Sequence, residues 1–468
     1  MTKGKVVLAA VVGLLMIAAA ILYHALPSVS VDFSQELGDI KEINGINNGP
    51  KSNYSESENG QAQWALDATD LYRELGIPCV RTHDTEFPYG GEAFVDIHCI
   101  FPDWSQSADD PSAYHFAETD LYIQNILDSG AKVLFRLGES ISPSENDIRY
   151  TYPPEDKQKW AEICWHIVSH YNHGWADGFY DAVAYWEIWN EPDVYRQWSG
   201  DIDEYYALYQ TTARYLKGKD PELIVGGGAL GDASEQAITA FLQGITDDGE
   251  DTPLDFFSWH CYSSKPDIFL EQATVVRDTL DRSGFTETQS FLDEWNYVAD
   301  WEHLESTWEV LQSTDAAAFY AQSLICMQNA PIDQAMYYDG AFVSGVAEWE
   351  GLAEWCGLYD ADGNKLPGYY AFAMFHALQE AGTQVEAETD VKGLYCCAAK
   401  GDRNGILLVN SGSEAKRFLL KLSGDQRDAS ITRVNRDHPD GVTEQKNWML
   451  GVAAIRMEAG EVLYISLE

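Results

Sequence analysis

From Ile40 onward, short apolar runs alternate with longer segments whose apolar residues recur at helical spacing, the signature of repeated βα units that build a parallel sheet. The strand-like runs fall at residues 42–47, 79–83, 132–137, 183–189, 223–225, 255–261, 290–293 and 334–338. The helical patterns fall between them, at 61–75, 117–128, 156–171, 204–217, 235–242, 266–281 and 315–328, with 369–380 after the last strand. Eight such units predict a (β/α)8 TIM barrel over residues 31–383. From residue 384 the pattern changes to short alternating runs at 393–399, 405–410, 415–422, 429–434 and 461–467. Turn-rich stretches such as Lys400-Gly401-Asp402-Arg403-Asn404-Gly405 separate them, so residues 384–468 read as an antiparallel β-sandwich. No internal repeat and no low-complexity linker interrupts this order.

Ahead of the barrel, Lys3 and Lys5 precede an apolar run over residues 6–22 and the irregular His24-Ala25-Leu26-Pro27-Ser28. Residues 1–30 therefore read as a signal peptide or membrane anchor rather than as part of the fold. The run is longer than an ordinary signal-peptide core and close to the lower limit for spanning a bilayer, which favours an uncleaved anchor. The expected location is extracytoplasmic, tethered or secreted.

Charge narrows the partners. With 30 Lys+Arg against 75 Asp+Glu, the formal net charge is -45, which makes nucleic acid and anionic membrane surfaces poor partners and a neutral substrate easier to accommodate. The eight cysteines (79, 99, 164, 261, 326, 356, 396 and 397) form no C-x-x-C pair and lie in apolar runs, where they read as small buried hydrophobes. No zinc site, other metal or cofactor is called for.

The candidate chemistry sits where strands end. The fourth strand closes on Trp189-Asn190-Glu191-Pro192, a carboxylate between an amide and a proline. About a hundred residues later, Leu292-Asp293-Glu294-Trp295-Asn296 repeats the theme. Two carboxylates from different strand ends are the minimal equipment for hydrolysing a glycosidic bond. Asn47, His83, Arg136, Asn190, His260, Tyr262 and Asp339 also stand at or just past the carboxyl ends of candidate strands, the face on which barrel active sites are built. In this reading Glu191 is the general acid/base and Glu294 the nucleophile, ionised with help from His260 and Tyr262. Asn47, His83, Asn190, His260, Tyr262, Trp295 and Asp339 contact an oligosaccharide, with the Trp189 and Trp295 indoles as candidate stacking rings.

The ordered set of motifs resembles glycoside hydrolase family 39, a family of retaining (β/α)8 enzymes, over most of the chain from about Asp39. It comprises Asn44-Gly45-Ile46-Asn47-Asn48-Gly49-Pro50, Val80-Arg81-Thr82-His83-Asp84, Trp186-Glu187-Ile188-Trp189-Asn190-Glu191-Pro192-Asp193, Phe256-Phe257-Ser258-Trp259-His260-Cys261-Tyr262 and Asp293-Glu294-Trp295-Asn296. The resemblance implies Glu191 as acid/base, Glu294 as nucleophile, and His83, Asn190, His260 and Tyr262 as sugar-binding residues. The family includes β-xylosidases and α-L-iduronidases, and members acting on arabinosides, galactosides or glucosides. Iduronidase-like members place a lysine near the position of His260. Here the nearest is Lys265, so a neutral glycoside such as a β-xyloside is the leading expectation. The alternatives are an arabinosidase, galactosidase or glucosidase of the same family, and a non-catalytic carbohydrate-binding barrel. The long segment 86–112 is expected to wall the pocket.

Overall fold

The computed structural model describes residues 26–50, 67–83, 94–140, 150–340, 355–360, 363–423, 428–447 and 451–467. Its first strand, β1 (Ser28–Asp39), belongs to the second sheet considered below. The next eight close a parallel barrel in chain order. They are β2 (Gly45–Asn47), β3 (Cys79–Arg81), β4 (Lys132–Leu137), β5 (Tyr185–Ile188), β6 (Val225–Leu230), β7 (Phe256–Tyr262), β8 (Gln289–Asn296) and β9 (Gln334–Tyr337). The predicted fold, a closed barrel of eight parallel strands, is thus the observed one.

Helices between the strands start and stop for local reasons. The helix Ile202–Lys219 opens on a capping box, in which Asp201 and Glu204 satisfy each other's backbone N–H groups. The helix Lys157–His173 ends where Gly174 takes φ 70°, a left-handed conformation that glycine adopts without a Cβ clash. Strand β6 runs through Gly226-Gly227-Gly228, beyond the end expected at residue 225. A Cβ on Gly226 would lie 2.3 Å from the Phe256 carbonyl oxygen, so only glycine lets β6 come this close to β7.

Alternation builds the barrel interior. Cys79, Leu134, Phe256, Phe291 and Met336 pack together as an apolar floor. Two residues further along the same strands, side chains of the same parity carry Arg81, Arg136 and Ser258, and then His83 and His260. An apolar floor under a polar upper layer is what confines the chemistry to the carboxyl-terminal mouth.

The second sheet has nine strands, ordered β15-β14-β17-β12-β11-β10-β1-β13-β16. The new members are β10 (Thr383–Thr389), β11 (Leu394–Lys400), β12 (Asn404–Asn410), β13 (Lys416–Leu422), β14 (Asp428–Asn435), β15 (His438–Asn447), β16 (Val452–Met457) and β17 (Val462–Leu467). All pairings are antiparallel except β1 with β13. Phe418, Ile431, Ile455 and Ile465, from both halves of the sheet, share one core with Val29, Val31 and Phe33, so the sheet curves over its own apolar face as a sandwich does.

The chain forms two units, Lys41–His376 and the N-terminal strand with Ala377–Glu468. The barrel therefore does not begin at residue 31: Val29, Val31 and Phe33 alternate into the core of the β-unit. The apolar run at 6–22 lies outside the described residues, and among those described no helix is long and apolar enough to cross a membrane. All eight cysteines are free thiols, buried or half-buried.

Candidate active site

Arg81, at the end of β3, organises the mouth of the barrel. Its guanidinium is buried and donates through Nε to Glu187 (2.7 Å), through Nη1 to Glu294 (2.9 Å) and Asn47 (3.1 Å), and through Nη2 to Asn190 (2.6 Å). Asp293 Oδ2 lies 3.1 Å from Nε. A planar fork with fixed donors suits this hub, because it holds several acceptors at once without deprotonating.

Two consecutive acids of β8 take part because the strand is irregular. Trp259 of β7 pairs with Leu292, but His260 pairs with Glu294, so Asp293 is an extra residue, a bulge. Asp293 and Glu294 both face the interior, and Trp295 is turned outward. Burial and the neighbouring Glu187 push the Asp293 carboxyl well above its usual range, towards its neutral form. Burial would also raise Glu187, but the Arg81 charge outweighs it and keeps that carboxyl ionised. The one guanidinium thus faces two carboxylates, Glu187 and Glu294, with Asp293 beside it.

Glu294 is surrounded by donors. His83 Nε2 lies 2.8 Å from its Oε1, Tyr262 donates its hydroxyl to Oε2 (2.7 Å), and His260 Nδ1 lies 3.5 Å from Oε2. Burial opposes ionisation of Glu294, but the charges of His260, His83 and Arg81 outweigh it and hold the carboxyl well below the usual range. Burial and the adjacent carboxylate push the Tyr262 hydroxyl well up, so it stays a phenol and a donor.

Glu191 stands across the mouth and is reachable, with 17% of its side chain exposed. Its backbone takes φ 41°, and its N–H bonds the Ala229 carbonyl (2.9 Å), so it projects from the end of β5 instead of continuing the strand. His260 Nδ1 lies 2.8 Å from Oε1, and Gln197 Nε2 donates to Oε2 at 3.3 Å. Burial disfavours charge on His260, but Glu294 and Glu191 together raise its pKa, so the imidazole bridges the two glutamates. One oxygen each of Glu191 and Glu294 lies with a His260 nitrogen in a group whose atoms are all within 4.8 Å of one another. Such a trio has the spacing of a cation site too, but here hydrogen bonds and the Arg81 charge already satisfy its carboxylates.

His83, Asn190, Glu191, His260, Tyr262 and Glu294 lie together at the mouth. Asn47 is buried with both ends of its amide bound to protein, Nδ2 to the Asp293 carbonyl (2.6 Å) and Oδ1 to Arg81, so it is scaffold instead of a sugar contact. Trp295 is fully buried between the sheet and the helices, stacked on Phe372 and edge-on to Phe269, and Trp189 packs against Trp160 and Trp198, so neither ring faces a sugar. Asp339, buried at the end of β9, accepts from Asn48 Nδ2 (3.0 Å). Arg136 donates to Asp96 (2.6 Å) and to the Glu139 carbonyl (2.5 Å), anchoring the segment after β3. In that segment, the part described from residue 94 contributes Phe94, His98 and Trp104 to a cavity of about 620 Å³ that Tyr150 also lines.

Sequence reasoning passed over Arg81 as a hub, the paired Glu187 and Asp293, and Gln197. Arg81 shares the parity of His83 on one strand, which was the available signal. Nothing local marked Gln197.

A (β/α)8 barrel that brings two carboxylates together at its carboxyl-terminal mouth is the architecture of an O-glycosyl hydrolase. Residues 53–411 match the family model "Glycosyl hydrolases family 39", and the chain belongs to that family. A β-xylosidase of Geobacillus stearothermophilus is 29% identical over 211 residues, 39% of this chain and 41% of that enzyme, so the match spans less than half of its length. A β-xylosidase of Caldicellulosiruptor saccharolyticus is 23% identical over 407 residues, 80% of this chain and 78% of that enzyme. A glucosidase structure from Croceicoccus marinus shares the fold with a TM-score of 0.74 at 22% identity, over 94% of this chain and 99% of that one.

Proposed function

We propose that the protein is a retaining exo-glycosidase that releases a terminal neutral sugar, with β-xylosides favoured, by double displacement. The observation that carries the reading is the spacing of Glu191 and Glu294, with one oxygen of each within 4.8 Å. Retention needs carboxyl groups about 5–5.5 Å apart, whereas inversion leaves room for a water at about 6.5–9.5 Å. Glu294, held ionised, attacks the anomeric carbon while Glu191 protonates the departing oxygen. A water deprotonated by Glu191 then attacks the glycosyl ester, and Glu294 leaves as carboxylate.

The surroundings support these roles. Asn190 Nδ2 is buried without a hydrogen-bond partner, while Arg81 occupies its Oδ1 and so fixes the amide with the donor free. An unmet buried donor costs about 1–3 kcal/mol, a cost removed when a sugar hydroxyl accepts from it. A neutral substrate is favoured by the carboxylates Glu191 and Glu294 that a substrate carboxylate would have to approach, and by Lys265, the nearest candidate to meet such a group, which is exposed. The two β-xylosidase relatives point the same way. Export by the leader belongs to this proposal, and fractionation of the producing cells tests it.

Glu191→Gln and Glu294→Gln are each expected to abolish turnover across a panel of nitrophenyl pentosides and hexosides, with the folded state intact by circular dichroism. Full activity in either variant overturns the assignment. NMR of the first-formed anomer is expected to show retention, and an inverted product would refute the spacing argument.

A further inference from the structure

Trp301 is out of place for a residue of its kind. It sits on the turn after β8 with 58% of its surface exposed, the most exposed tryptophan among the described residues. Its turn is nonetheless fixed: Asp300 accepts from the Glu302 N–H (2.9 Å) and from His303 Nδ1 (2.8 Å). A large apolar ring that leaves more than half of its surface in water on a hydrogen-bonded turn is the arrangement of a binding surface.

Its neighbours say what it would bind. Tyr262, whose hydroxyl touches Glu294, lies edge-on to Trp301 with ring centroids 5.2 Å apart. Trp355 stands 6.0 Å from Trp301 and 6.0 Å from Tyr262, and 5.9 Å from Tyr338. The rings therefore lead from the phenol on the nucleophile outward to an exposed indole, in one ring-to-ring step. Aromatic faces flanked by hydrogen-bonding groups suit a sugar ring, which presents C–H groups on its face and hydroxyls at its edge.

We propose that Trp301, backed by Trp355, is the stacking platform for the sugar that leaves, the residue next to the one that Glu294 attacks. This rests on the exo-acting reading above, under which the only further sugar lies on the leaving side. The enzyme then recognises at least two rings of a neutral oligosaccharide, one among the strand-end polar groups and one on the indole.

The test compares xylobiose with methyl β-xyloside, which share the attacked sugar and differ in the leaving group. Trp301→Ala, at an exposed position, is expected to raise KM for xylobiose about tenfold and leave methyl β-xyloside within about twofold, about 1.4 kcal/mol of selective binding. Trp301→Phe is expected to restore most of the difference. Calorimetry on Glu294→Gln, with and without Trp301→Ala, reads the same ratio as affinity without turnover. Equal losses on both substrates would overturn the platform and make Trp301 a support for Tyr262; no change on either would overturn it outright. If wild-type protein hydrolyses another disaccharide and methyl glycoside instead, the xyloside specificity has failed, and the same comparison on that pair decides the platform.

Discussion

Tyr262→Phe removes one oxygen and nothing else, and the geometry says what should follow. The phenol donates to Glu294 Oε2 at 2.7 Å, while Arg81 and His83 both serve Oε1. The next donor to Oε2, His260 Nδ1, is at 3.5 Å and is already 2.8 Å from Glu191, so no group stands ready to replace the lost bond. The ring, its contact with Trp301 and the packing volume all remain. A hydrogen bond to a buried charged group contributes about 1.5–3 kcal/mol, so kcat/KM should fall about 10- to 100-fold where the nucleophile must be ionised by its surroundings. The direction on the pH axis follows from the cause. Donors hold the Glu294 carboxyl below its usual range, so removing one moves the carboxyl up, and the acidic limb of the kcat/KM profile moves to higher pH. Stability should respond with the same sign. A depressed carboxyl stabilises the fold above its unfolded pKa and loses that contribution as pH falls through its folded value, so the variant should be weaker at neutral pH and converge on wild type in acid. The assay is a kcat/KM profile on an aryl glycoside across the acidic and neutral range, beside urea unfolding at both ends. A uniform loss at every pH with the acidic limb in place would refute the reasoning, because Tyr262 would then be acting on the sugar and not on the charge of Glu294.

Arg81→Met should destabilise the barrel by about 3–5 kcal/mol at neutral pH, because Glu187 and Glu294 are left buried without their cation, and the deficit should shrink on acidification as those groups take up protons; equal urea midpoints for variant and wild type at neutral pH would contradict this. Gln197→Met keeps the volume beside Glu191 but removes an amide whose Nε2 donates to Oε2 and whose buried Oε1 is without a partner. An amide can donate to the carboxylate and, once flipped, accept from the acid, so its loss should cost about tenfold on alkyl glycosides, which need protonation of the leaving oxygen, and little on dinitrophenyl glycosides, which do not. Similar losses on both leaving groups would show that Gln197 does not act through Glu191.

The barrel was legible because its physics is local: a strand buried on both faces reads as an apolar run, and the amphipathic helix after it reads at period 3.6. The exceptions have local causes too. Val225–Leu230 was cut short because its three glycines have low strand propensity, although close approach to β7 is why they are there. The alternation of Val29, Val31 and Phe33 is as clear as any in the chain, but no rule of pattern says that an N-terminal strand pairs with one almost four hundred residues later, as Ser28 does with Leu419. Glu191 and Glu294 could be found from their strand ends, whereas the hub role of Arg81 could not, because Asn47, Glu187, Asn190 and Glu294 meet on it only when the barrel closes.

The sharpest case is β8. Strict alternation counted from the floor residue Phe291 sends Asp293 inward, Glu294 outward and Trp295 inward, which removes the Glu294 carboxylate from the mouth and puts an indole in its place. The bulge at Asp293 reverses the last two assignments. Glu294 meets Arg81, His83 and Tyr262, and Trp295 goes to Phe269 and Phe372 in the helical layer. Glu294 and Trp295 are neighbours in sequence, but one inserted residue puts them on opposite faces of the strand. A bulge leaves no mark in a single sequence beyond an acid where alternation wants an apolar residue. Its cost is an interrupted ladder, and its effect is to aim two consecutive carboxyl groups at one guanidinium, one pushed above the usual carboxyl range and the other held below it.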